Sequence, residues 1–310
     1  MLGAEDVTHE QFSALFTDLS RWGTWGDDDE RGALNLLTPA RIAGAAGLVQ
    51  DGVTVTLSLP LNTHTGPHNP KPADHHMTAM GSEASDGNAV HFIKDYIGAD
   101  YHNDGHSHID ALCHVAYQGQ LYNGHAEDEV TEHCSPVNSI EVLKDGLVGR
   151  GVLLDIPLAR DIPWLEPGEH VFPADLEAAE RIQEVTVQEG DILLIRTGHA
   201  RRLAELGPWN TAEAKAGLHP TVMPLLAERG VVALGSDGNN DTAPSSTEGV
   251  GFPIHVLAIA AMGIHLLDYL QFEDLRATCE GSRRWEFLFV AAPLFIVGGT
   301  GSPLNPIAVF

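Results

Sequence analysis

Between Tyr101 and His114 the chain reads YHNDGHSHIDALCH, a dense run of side chains able to bind a metal. His102, Asp104, His106, His108 and Asp110 share one parity, and in an extended strand all residues of one parity leave the same face. Five imidazole and carboxylate groups would then point the same way. A half-buried strand ordinarily carries apolar residues on one face, and a solvated face favours Lys, Thr and Glu, so a polar surface strand is the weaker account. Imidazole nitrogen with carboxylate oxygen suits zinc, manganese or iron, and the lack of thiolates argues against a purely structural zinc site. His114 lies four residues beyond Asp110. If the strand ends near Ala111, His114 returns over the site as an acid/base group.

Other chemistries fit less well. Cys113 beside His114 suggests a thiol nucleophile, but neighbours on extended backbone face opposite ways and form no hydrogen-bonded pair. There is no GxSxG elbow, and GGTGSP at 298–303 lacks the GK[ST] of a phosphate loop, so its glycines suit a tight turn near the site. GSDGNND at 235–241 follows an apolar run, where α/β sheets place ligands. That makes Asp237 a substrate or supporting candidate, or a turn residue.

The elements that must hold these groups can be read from patterning. The first 50 residues form an N-terminal arm in which Trp22 and Trp25 are packing anchors or pocket walls, followed by a short helix from Pro39. VTVTLSLPL from Val53 alternates as a strand. Residues 62–90 lack periodicity and read as a long loop. GVLLDIP (151–157), DILLIRTG (191–198) and GVVALGSD (230–237) are short apolar runs separated by helical patterns opening at Pro173 and Pro220. These are partly buried strands with helices packed outside, an α/β arrangement. A further helix spans Ile254 to about Met262, followed by Ile264–Leu270 and an apolar stretch at 285–299. No composition break divides residues 1–310 into two domains.

Composition narrows the function. With 310 residues, 17 Lys+Arg and 43 Asp+Glu, the net charge is −26, which repels nucleic acid and the anionic membrane leaflet alike. The N-terminus is acidic where a signal peptide is basic then apolar, and the longest apolar run is far short of a membrane span. Three cysteines without CxxC spacing suit a reducing, cytoplasmic setting. The 17 histidines equal the Lys+Arg count, and eleven of them lie from His64 to His133.

SHIDALCHV, with YNG at 122–124, resembles the HxGTHxDxPxH signature of the metal-dependent cyclase family, which includes bacterial kynurenine formamidase and isatin hydrolase. WGTWGDDDERGALNLLTP at 22–39 and APLFIVGGTGSPLNPIAV at 292–309 resemble the opening and the ending of its longer branch. The resemblance implies a swivelling β/β/α fold with a mixed sheet core and outer helices, and a bound divalent metal, zinc or manganese. It further implies hydrolysis of an amide, often cyclic, in a small-molecule substrate, by a homodimer or homotetramer. Anchored on IDALCH, the family's ligands fall on Asp104, His108 and Asp110, and its acid/base histidine on His114. Asp104 stands where the family carries His, which would shift preference toward manganese or magnesium, unless His106 or His102 substitutes. A register two residues earlier, His102, His106 and His108, is the alternative. A later His and Glu of the family correspond to His255 and Asp268, which contribute to a second metal or activate water. Alternatively, His255 packs inside an apolar helix and Asp268 is a helix-surface acid. The expected enzyme is a carbon–nitrogen hydrolase, with two alternatives: a cyclase, dehydratase or lactone-acting enzyme, or a metal-free binding homologue.

Overall fold

The computed structural model describes residues 6–80 and 90–310. Its strands are β1 (Thr54–Thr56), β2 (Asp74–Ala79), β3 (Lys94–Gly98), β4 (His108–Asp110), β5 (Leu147–Asp155), β6 (His170–Val171), β7 (Ile192–Arg196), β8 (Gly217–Leu218), β9 (Ala233–Ser236), β10 (His265–Asp268), β11 (Glu286–Ala291), β12 (Gly301–Pro303) and β13 (Ile307–Val309). Nine of them form one mixed sheet in the order β1-β13-β11-β5-β7-β9-β10-β4-β12.

The three apolar runs of the second half supply the parallel centre of this sheet, β5, β7 and β9, which β10 extends. All five residues of β7 and all four of β9 are buried, as parallel strands covered on both faces must be. Antiparallel neighbours flank the centre, and in β11 the side chains alternate between buried and half-buried. The helix Pro173–Gln183 begins at its proline, with the Asp175 carboxylate accepting the Phe172 N–H at 2.7 Å.

The N-terminal arm is bound to this core. Its helix His9–Leu19 carries a Thr8/Gln11 capping box, and Phe12 is fully buried. Trp22 Nε1 donates to the Ala260 carbonyl at 2.7 Å, so Trp22 is a packing anchor, and neither it nor Trp25 lines the site cavity. Asn123, from the YNG motif, donates to the carbonyls of Gly26, Asp27 and Asp29 and so clamps the arm. At Gly32, φ is +54°, and a Cβ there would lie 2.2 Å from the Gly263 carbonyl oxygen, so backbone meets backbone.

Three expectations are corrected. The stretch 62–90, read as loop, contains β2, which pairs with β3 in a two-stranded antiparallel sheet, while 81–89 lie outside the described residues. The strand expected from 101 to 111 is only His108–Asp110, because residues 102–106 turn. Asp268 is no helix-surface acid. It ends β10, after a helix that starts at Pro253–His255 and continues as a π-helix over Val256–Ala261.

Candidate metal centre and its cavity

β4 and β10 run antiparallel with His108 opposite Asp268. Directly opposed residues share a face, and Asp110 shares parity with His108, so the pairing gathers one imidazole and two carboxylates. On the other side of β4, β12 sets Gly301 opposite Asp110. A Cβ at Gly301 would lie 2.4 Å from the Ile109 carbonyl oxygen and 2.9 Å from the His102 ring, so glycine lets that ring approach. After Asp110 the chain turns, His114 N donating to the Ala111 carbonyl at 3.0 Å, and the His114 ring returns over the site as its spacing suggested.

The resulting cluster is tight. His102 Nδ1 lies 2.9 Å from Asp110 Oδ1, and His108 Nε2 lies 3.6 Å from the same oxygen. His255 Nε2 lies 3.5 Å from Asp110 Oδ2 and 3.4 Å from Asp268 Oδ2. Two triads result, His102/His108/Asp110 and Asp110/His255/Asp268, with the ligand atoms of each within 4.8 Å of one another. Asp110 belongs to both. It is fully buried, yet neither of its oxygens accepts an aligned hydrogen bond, and His102 Nδ1 is likewise unsatisfied. A buried carboxylate that accepts no aligned hydrogen bond is costly, and a divalent cation would resolve it. The donor set, imidazoles with carboxylates and no thiolate, fits such an ion.

Apart from Asp110, the outward atom of each ligand is held by a second group. His108 Nδ1 faces the His106 carbonyl at 2.8 Å, and His102 Nε2 faces Thr300 Oγ1 at 3.0 Å. His255 Nδ1 faces Asp241 Oδ2 at 2.5 Å, and Asp268 Oδ1 accepts from Asn240 Nδ2 at 2.7 Å. Such contacts fix the ring tautomer and aim the free nitrogen inward. Asp241 also accepts the N–H groups of Ile254 and His255, capping the helix that carries His255.

The electrostatics follow from this packing. Burial would raise the pKa of Asp110, but the imidazoles of His114, His102, His108 and His255 outweigh it and hold the carboxyl well below the usual range. Burial would lower that of His255, but hydrogen bonds with Asp241 and Asp268 push it well up. For His114 burial prevails over the attraction of Asp110, and its pKa falls to about 4, so the ring is neutral. It stacks on His102 with centroids 3.9 Å apart and lies 4.0 Å from Asp110 Oδ1.

The structure thus brings together His108, Asp110, His114, His255 and Asp268. It does not bring in Asp104. Asn103 Oδ1 accepts from Gly105 N at 2.7 Å, and this turn breaks the two-residue period. Asp104 accepts instead from the Thr211 hydroxyl and faces Lys215 Nζ at 3.7 Å. His102, first considered as a substitute, occupies the place assigned to Asp104, while the buried His106 joins neither triad. Asp237 is a supporting residue: its carboxylate accepts from Thr197 N and Oγ1, Gly198 N and His199 N at the start of a helix. Burial pushes the Cys113 thiol up to about 11, which removes it as a nucleophile. Asp241, Asn240 and Thr300 were missed as site residues, although the GSDGNND and GGTGSP segments had drawn attention to their loops. Lys215 carried no signal at all.

A cavity of about 800 Å³ opens over the cluster, walled by His102, His108, His114, His255 and Asp268 and also by Lys215, Tyr269 and Phe252. Among the described residues no helix is long and apolar enough to cross a membrane.

Known proteins resemble this chain in sequence and fold. The family described as "Putative cyclase" matches residues 55–240. A crystal structure of a novel cyclase is similar at 33% identity and TM-score 0.87, covering 95% of this chain and 99% of its own. Isatin hydrolase A from Ralstonia solanacearum shares the fold at 23% identity and TM-score 0.60, covering 88% and 97%. So does a predicted metal-dependent hydrolase from Bacillus stearothermophilus, at 18% identity and TM-score 0.51, covering 84% and 98%. No curated protein matches.

Proposed function

The chain belongs to the cyclase family, and on that premise we propose that it is a metal-dependent hydrolase of a carbon–nitrogen bond, an amide or cyclic amide, in a small molecule. The observation that carries the proposal is the buried Asp110 carboxylate, whose oxygens accept no aligned hydrogen bond and which is shared by two triads of potential ligands. His102, His108 and Asp110 hold the ion in this reading, while His255 and Asp268 border a second position or the attacking water. With His102 in place of Asp104 the set is two imidazoles and one carboxylate, which favours zinc or manganese and removes the reason to expect magnesium. A divalent ion here supplies a water of lowered pKa and polarises a carbonyl.

The chain's own groups do the rest. Neutral His114 accepts the proton of the attacking water and returns it to the leaving nitrogen. His255, its Nδ1 held by Asp241, turns Nε2 toward the attacking water or the developing oxyanion, and Asn240 keeps Asp268 aimed inward. The fold shared with isatin hydrolases, whose name denotes a cyclic amide substrate, supports this choice of bond. Ring closure is the second reading, favoured by the similarity to a novel cyclase. We place the protein in the cytoplasm, as one domain and as a homodimer or homotetramer.

Elemental analysis of protein purified without chelator, with turnover of N-formyl amides, cyclic amides and lactones, tests this. The expected result is at least one divalent ion per chain and EDTA-sensitive amide hydrolysis. Full activity in EDTA overturns the proposal. Lactone turnover alone favours a lactone-acting enzyme, and neither metal nor turnover marks a binding homologue.

A further inference from the structure

The cavity over the His/Asp cluster contains a buried ammonium. Lys215 is 3% exposed, and among the described residues lining the cavity it is the only Lys or Arg. Its backbone is fixed by two hydrogen bonds with Ala243, each 3.0 Å. Its Nζ donates to the Tyr269 hydroxyl at 3.4 Å and, with the Asn239 amide turned to the orientation that satisfies both its ends, to the Asn239 side-chain oxygen at 2.8 Å, the Asn239 nitrogen then donating to the Asp241 carbonyl at 3.1 Å. Asp104 Oδ1 stands at 3.7 Å, near enough to balance the charge but beyond a hydrogen bond, and its other oxygen accepts from Thr211. An ammonium carries three donors and these partners accept two, so one N–H remains for the cavity.

Burying an ammonium costs desolvation, and a chain with net charge −26 has few cations to place. The Phe252 ring, with its centroid 5.8 Å from Lys215 Nζ, adds an apolar wall beside the charge. Tyr269 fixes the ammonium relative to the cluster, because it follows Asp268 directly and is held in the left-handed conformation, φ 53°. We propose that Lys215 determines specificity by receiving a carboxylate carried on the apolar body of the substrate whose scissile bond lies at the His/Asp cluster. This rests on reading the cavity as the substrate site, and it adds the substrate class: small amides bearing an anionic group.

The test is calorimetric binding of phenylacetate and of its neutral counterpart phenylacetamide to the full chain stripped of metal, so that no metal–carboxylate bond contributes. The wild type is expected to bind phenylacetate about tenfold more tightly, the usual weight of a charged hydrogen bond. Lys215→Met should bind both probes alike, and Lys215→Arg should keep most of the preference. If Lys215→Met does not fold, the charge-balanced Asp104→Asn/Lys215→Gln variant gives the same readout. Equal affinity for the two probes in the wild type, a preference that survives in Lys215→Met, or no binding of either at millimolar concentration overturns the proposal. Metal and turnover play no part here, so failure of the hydrolase reading shows separately, in the metal content and the substrate panel.

Discussion

Removing the His102 ring should strip the metal, whereas removing the Asp104 carboxylate should not. Apparent zinc-binding free energies of about 10–16 kcal/mol in four-ligand sites correspond to roughly 3 kcal/mol per ligand, or about a 10²-fold loss in affinity for one ligand. His102 meets the conditions for the full figure: its Nδ1 lies 2.9 Å from Asp110 Oδ1 and its other nitrogen is held by Thr300. His102→Ala also removes the face on which His114 stacks, so turnover should fall even at saturating metal. Asp104→Ala changes nothing within either triad. It leaves Lys215 buried without its counter-charge, which should lower stability by roughly 1–3 kcal/mol while the metal affinity changes less than about threefold. Competition against a chromogenic chelator measures the affinities, and urea unfolding measures the stability. If Asp104→Ala loses metal as completely as His102→Ala, the turn at 102–106 does not exclude Asp104 from the site and the assignment made here is refuted.

Further outcomes follow from other contacts. His114→Ala should lower kcat by roughly 10²–10⁴-fold with the metal content intact, and an unchanged kcat would remove His114 from proton transfer. His265 is fully buried, its Nδ1 donating to the Asp110 carbonyl at 2.8 Å, and burial lowers its pKa to about 4. Because the unfolded histidine titrates near 6.5, the stability it supports is complete above that pH and is lost as pH falls toward 4, by about 2–3 kcal/mol. His265→Gln should therefore flatten urea-unfolding stability between pH 7 and pH 4.5 by that amount, and an unaltered slope would contradict the burial argument. Gly32→Ala would force a Cβ to 2.2 Å from the Gly263 oxygen at positive φ, so the urea midpoint should report a loss of roughly 2–4 kcal/mol. A loss below about 0.5 kcal/mol would show that the arm is free to shift.

Much of the architecture is local and was therefore legible in the sequence. The apolar runs of β5, β7 and β9 are buried on both faces whatever their neighbours, so their composition marks them. The helix openings at Pro39 and Pro173 rest on residues within one turn. The spacing from His108 through Asp110 to His114 spans one short strand and one turn, and the three side chains lie together in the structure. Tertiary structure alone decided the remainder. The parity rule that grouped Asp104 with His108 holds only along unbroken strand, and the Asn103–Gly105 turn ended it, so His102 faces Asp110 while Asp104 swings to Lys215. The roles of Asp268, Asn240 and Asp241 come from the register of β4 on β10 and from a helix start lying against the loop after β9. The β4–β10 pairing joins residues more than a hundred positions apart and the other contacts cross between separate elements, and no periodicity along a chain encodes which element will lie beside which.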